Sequence, residues 1–241
     1  MSDDQNNNTI LVVDDSDIIC QSLKKFFSNY HINVITSHDG LDGIQKIAEH
    51  NPVLIFLDLM MPNFDGVKML QVIKVLEKHK TIPVIIISGN TNRTNVIAAI
   101  EAGADRVISK PLKKEIILKN INELLGEDFL PKLKSEKFLP ALQNEDVQKQ
   151  LLMMFLKSFP EKKEALKRGL LIHDKESIRN IAHEIRGTGS TIGFPQLSVL
   201  GVVVEDHISG LHVNWSQIKL MCDQIFNLIE EIEESNSLIE K

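Results

Sequence analysis

The sequence predicts an α/β domain, a doubly wound five-stranded parallel sheet, followed by an all-α helical bundle. Three observations predict it. Through the first half, five short, β-branched-rich apolar runs alternate with segments of helical spacing. The stretch GEDFLPKLKSEKFLPALQ then breaks the pattern with two prolines and mixed charge. From about Asn144 onward there is no strand signal.

The strands are expected at 10–13, 34–35, 53–57, 84–87 and 107–108. Runs that are apolar throughout suit a sheet covered on both faces. The helices between them are expected at 16–28, 41–50, 66–79, 92–102 and 113–125. Strict strand–helix alternation implies parallel pairing with right-handed crossovers. In the second half Val147, Leu151 and Phe155 mark one helix, and Pro160 is expected to open another. Asp174 can cap a third, and Pro195 can open a fourth. Ile218, Ile225, Ile229 and Ile232 mark the last, giving a bundle of five helices. The expected division is a tail over 1–8, a sheet domain over 9–126, a linker over 127–143 and a bundle over 144–241.

Charge excludes some functions. The net charge is −6. Up to Gly126 there are 13 basic and 15 acidic residues, and after it 14 and 18. Neither half has the basic surface of a nucleic-acid reader. Cys20 and Cys222 are too far apart in sequence to suggest a metal cluster or a disulfide framework. No apolar run is long enough to span a bilayer, and the N-terminus lacks a leader pattern. A cytoplasmic protein without membrane or nucleic-acid partners is expected. There is no Gly-rich nucleotide loop, so no ATP site and no kinase activity of its own are expected.

The chemistry-bearing residues of the first half sit at strand ends. Asp14 and Asp15 follow the first strand, Asp58 the third, Ser88 the fourth and Lys110 the fifth. In an open parallel sheet all five converge on one edge, where ligands bind. Three crowded carboxylates suit a hard divalent cation such as Mg²⁺. A carboxylate can also accept a phosphoryl group covalently. Ser88 and Lys110 could then hydrogen-bond its oxygens. Asp15 or Ser16 could alternatively serve only to cap the next helix.

The stretches LVVDDS, LIFLDLMMPNFDG, VIIISG and GADRVISKP resemble the receiver domain of two-component response regulators over residues 9–126. That resemblance implies a flavodoxin-like fold with Asp58 as phosphoacceptor. It implies Asp14, Asp15, Asp58 and the Met60 carbonyl as the Mg²⁺ site, Ser88 and Lys110 as phosphoryl contacts, and a cis bond at Lys110–Pro111. Two positions depart from the pattern. Val107 stands where receivers often carry Tyr or Phe, which removes the usual aromatic switch. The Met60 side chain cannot orient a water, so slow hydrolysis of phospho-Asp58 is expected. Ile19, one turn past the acidic pair, is expected to be exposed and to dock a partner.

In the second half, AHEIRG places His183 three residues before Arg186 and four before Gly187. Ile178, Ile181, Ala182 and Ile185 form one apolar stripe, with His183 about 150° from its centre. On that spacing His183 faces solvent. Gly187 would leave room beside the imidazole, and Arg186 could pair with phosphoryl oxygens. AHEIRGTGSTIGFPQLS, with LSVLGVVVE downstream, resembles a histidine-containing phosphotransfer (HPt) domain over roughly 144–236. That implies phosphorylation of His183, with Arg186 and Gly187 beside it on the HPt surface. A receiver joined to an HPt domain implies a phosphorelay protein. Its partners would be sensor histidine kinases, other receivers or other HPt proteins. The alternative is an adaptor whose receiver controls partner binding by the bundle.

Overall fold

The computed structural model describes residues 8–30, 32–61, 66–89, 93–130, 145–210 and 212–239. The expected tail before Asn8, and the expected linker from 131 on, lie outside them. The chain separates into two compact units that divide near Val147.

The N-terminal unit contains β1 (Thr9–Val13), α1 (Asp17–Ser28), β2 (Asn33–Ser37), α2 (Gly40–His50) and β3 (Leu54–Asp58). It continues with α3 (Gly66–Val75), β4 (Val84–Ser88), α4 (Arg93–Glu101), β5 (Arg106–Ser109) and α5 (Lys114–Leu125). The sheet is wholly parallel, in the order β2-β1-β3-β4-β5. The central strands β1, β3 and β4 are buried along their whole length, while β2 and β5 are partly open. This is why these three strands are apolar except at single end positions, Thr9, Asp58 and Ser88. Leu11, Val13, Ile55, Leu57 and Ile86 pack with Met69, Leu70 and Ile73 of α3 and Ile47 of α2. Phe56, on the alternate register, meets Phe27 of α1 at 5.7 Å between ring centroids.

Two expectations for this unit change. Helix α3 stops at Val75 rather than 79, because the chain turns at Leu76–Ile82 to enter β4. Lys74 anchors that turn through the Ile82 carbonyl at 3.0 Å and Asp105 at 3.0 Å. Ile19 is buried, 1% exposed, not a docking residue. Helix α1 buries Ile18, Ile19 and Cys20 together, a wider face than one periodic stripe suggests.

The C-terminal unit contains α6 (Glu145–Ile172), α7 (Lys175–Gly189), α8 (Pro195–Ile208) and α9 (Trp215–Ile239). The expected five helices are four among the described residues, because α6 runs through Pro160. Proline in a helix interior costs about 3 kcal/mol. Phe155, Phe159 and Leu166 carry one buried stripe across it, and that burial outweighs the lost bond. Asp174 caps α7, accepting from the backbone N–H groups of Glu176 and Ser177 at 3.1 Å each. Gly201 sets how closely α8 meets α7: a Cβ there would lie 2.7 Å from the Ala182 carbonyl oxygen. Among the described residues no helix is long and apolar enough to cross a membrane.

Candidate functional site

The order of the sheet places the ends of β1 and β3 side by side at its switch point. Asp14 and Asp15 leave β1 there, and Asp58 closes β3. Carboxylate oxygens of all three lie within 4.8 Å of one another. Asp14 and Asp58 are fully buried and Asp15 is half-buried. Lys110 reaches them from beyond β5, its Nζ 2.8 Å from Asp14 Oδ2 and 2.7 Å from Asp58 Oδ2. The hydrogen bond to Asp58 is the well-directed one. The Lys110 backbone N–H donates to the Ser88 carbonyl at 2.9 Å, and its peptide bond to Pro111 is cis. Ser88 itself is fully buried at the end of β4.

Backbone donors hold the acids in place. The Ser16 N–H donates to Asp14 Oδ1 at 2.9 Å, and the Met60 N–H to Asp58 Oδ1 at 3.2 Å. Gly66 is required beside them, since a Cβ would collide with the Asp58 backbone carbonyl. Burial, and then repulsion from Asp58 and Asp15, raise the Asp14 carboxyl to about 7 against the pull of Lys110. Burial alone would lower Lys110, but Asp14 and Asp58 more than reverse it and hold the ammonium well above its usual value. The lysine therefore stays charged, and the cost of crowding falls on Asp14. One ammonium does not balance three carboxylates. Asp14 Oδ2, within reach of Lys110, has no well-directed hydrogen-bond donor. A set of hard oxygen donors with surplus negative charge fits a Mg²⁺ ion.

The second cluster lies within the C-terminal unit. His183 Nδ1 is 2.8 Å from Glu205 Oε1, and Arg186 Nη1 donates to Glu205 Oε2 at 2.6 Å. Burial would raise Glu205, but His183 and Arg186 hold its carboxyl below the usual range. An ionised carboxylate only accepts hydrogen bonds, so Nδ1 carries the proton that it binds. In the neutral ring Nε2 then holds the lone pair, the form a nucleophile requires.

Here the sequence reading needs correction. His183 is 7% exposed, and Gly187 is buried rather than on the surface. Positions 182, 183, 185, 187 and 188 are all buried, and at about 100° per residue they surround the helix. A periodicity argument finds the strongest apolar stripe and misses the wider burial that packing imposes on the C-terminal half of this helix. Arg186 is engaged by Glu205 instead of standing open to a phosphoryl group. Glu205 was not singled out from sequence. The signal was present, as one acid closing the apolar run VLGVVV on a helix with a stripe at Leu197, Val204 and Ile208.

Comparison with known proteins divides the chain in the same way. The response regulator receiver domain family matches residues 10–122, and the Hpt domain family matches residues 150–235. The protein PilG of Pseudomonas aeruginosa is 34% identical over 109 residues, 45% of this chain and 81% of PilG. The transcriptional regulatory protein SrrA of Staphylococcus aureus is 33% identical over 119 residues, 49% of this chain and 48% of SrrA. The chain thus spans about half the length of SrrA. A crystal structure of a putative response regulator from Chloroflexus aurantiacus covers 48% of this chain and 96% of its own, at 24% identity and a TM-score of 0.47.

Proposed function

Because the chain belongs to the response regulator receiver family and carries an Hpt domain behind the receiver, we propose a phosphorelay in which Asp58 and His183 each hold a phosphoryl group. The observation that carries this reading is the pairing of two complementary acceptors in one chain. One is a carboxylate held beside a buried ammonium, and the other an imidazole with its Nδ1 proton fixed by a carboxylate.

At the receiver, an Asp58 oxygen attacks the phosphorus of a partner's phosphohistidine. The P–O bond forms, the P–N bond breaks, and the electron pair returns to the ring nitrogen. No proton need move. Lys110 balances charge on the transferring oxygens, and Ser88 hydrogen-bonds them. Asp14, Asp15, Asp58 and the Met60 carbonyl would hold Mg²⁺, which supplies charge neutralisation between the carboxylates and the phosphoryl group.

At the bundle, Nε2 of His183 attacks the phosphorus of an aspartyl phosphate, and the carboxylate leaves. The product ring keeps its Nδ1 proton and bears positive charge. Glu205 faces that charge at 2.8 Å and stabilises it. Arg186 keeps Glu205 ionised and in place. Sensor kinases and other relay proteins are the partner class this chemistry implies. The test is labelling of the full chain followed by acid and base treatment. Asp58→Asn should remove the base-labile acyl phosphate alone, and His183→Gln the acid-labile phosphohistidine alone. A label that survives both substitutions together would refute the reading.

A further inference from the structure

His183 is enclosed, so a phosphoryl group on it needs both room and a counter-charge. The cation three residues on is already committed: Arg186, its side chain 11% exposed, holds Glu205 at 2.6 Å. Lys162 is likewise matched, with Glu184 at 3.2 Å.

Room exists one turn towards the start of α7. A cavity of about 380 Å³ is lined there by Lys175, Glu176, Arg179, Ile208 and Ser209. The two helices run antiparallel beside it. Gly189 of α7 meets Ser198 of α8, Ala182 meets Gly201, and His183 meets Glu205. Arg179 and Ile208 extend that series by one turn. Arg179 precedes His183 by four residues, which sets it about 40° round the helix and about 6 Å along its axis. Helical side chains lean towards the N-terminus, so the His183 ring covers the turn that carries Arg179. Lys175, about 12 Å along the axis, is two turns away.

Arg179 is exposed, and among the described residues it has no ion-pair partner. Its guanidinium stays charged and offers a fork of donors that matches phosphoryl oxygens. With Nδ1 of His183 fixed on Glu205, Nε2 is the ring atom left to carry phosphorus. We infer that Arg179 is the phosphoryl-binding residue of the bundle, donating hydrogen bonds to the oxygens of the group on His183 Nε2. The inference rests on His183 as the phosphorylated residue. In the step it serves, Nε2 attacks phosphorus and the P–N bond forms. The bond from phosphorus to the leaving atom of the donor breaks, and that atom keeps the electron pair. Arg179 then faces the negative oxygens of the transferred group.

The test uses the full chain carrying Asp58→Asn, so that phosphoramidate labels His183 alone and ammonia leaves. A small donor brings no partner surface, so docking does not enter the rate. Arg179→Ala should slow label uptake by about three- to tenfold. In phosphorus NMR of the labelled chain, the midpoint for loss of the last phosphoryl proton should rise by roughly half a unit or more, because a nearby cation favours the dianion. Arg179→Lys should keep that midpoint near the wild-type value and recover part of the rate. Lys175→Ala should change neither. An arginine with a merely structural role would leave the midpoint in place. Wild-type uptake with a wild-type midpoint in Arg179→Ala, or equal losses in Lys175→Ala, overturns the assignment. A chain that takes no label on His183 with Arg179 intact instead overturns the reading of His183 itself.

Discussion

Replacing Glu205 with glutamine probes the bundle site most sharply. The substitution keeps shape and burial but removes the charge that binds two neighbours. His183 Nδ1 at 2.8 Å and Arg186 Nη1 at 2.6 Å would each exchange a charge-assisted bond for a neutral one. Such bonds differ by roughly 1–2 kcal/mol. The amide can also donate to Nδ1, which favours the wrong tautomer. Losing about 1.5–3 kcal/mol at the transition state slows phosphorylation of His183 by about 10- to 150-fold. The assay is the initial rate of label uptake on His183, with ring-nitrogen NMR reporting the tautomer. Glu205→Gln at the wild-type rate, with the Nδ1 proton still in place, would refute the reasoning. The same carboxyl predicts a pH effect. Its folded-state value lies below the ordinary 4.5, so its contribution is fully present above that value. The contribution is lost as pH falls through the lower folded-state value. Thermal melts of the wild-type C-terminal unit should therefore lose stability on acidification below about pH 4.5 more steeply than those of Glu205→Gln.

Other consequences follow from the same geometry. Lys110→Ala leaves three carboxylates without their buried cation and should destabilise the N-terminal unit by about 3–5 kcal/mol; an unchanged urea midpoint would contradict this. Gly201→Ala puts a Cβ 2.7 Å from the Ala182 carbonyl and the Arg186 N–H, prising α8 from α7. It should cost about 1–3 kcal/mol and weaken transfer through His183, read by melting and label uptake together. Phospho-Asp58 in the isolated chain should persist for minutes or longer, because the Met60 side chain cannot orient water; decay within seconds would show otherwise.

Much of the sheet was legible because its chemistry is local. β1, β3 and β4 are buried on both faces, and so 10–13, 54–57 and 84–87 are apolar at every position, with polar residues only at the strand ends. The acids and the lysine fall at strand ends, where topology alone brings them together. The bundle was less legible. Pro160 is a strong local stop signal, overruled by a stripe whose burial only tertiary packing reveals. His183 was placed on the right helix but on the wrong side of the surface, because enclosure by neighbouring helices leaves no periodic trace. Glu205 is 22 residues from His183, and their contact depends on how closely Gly201 lets two helices approach.

Phosphorus NMR of the labelled full chain tests the central claim most directly. Two resonances are predicted, one from an acyl phosphate lost in Asp58→Asn and one from a phosphoimidazole on Nε2 lost in His183→Gln. A phosphoimidazole that persists in His183→Gln, or an acyl phosphate that persists in Asp58→Asn, would contradict the account.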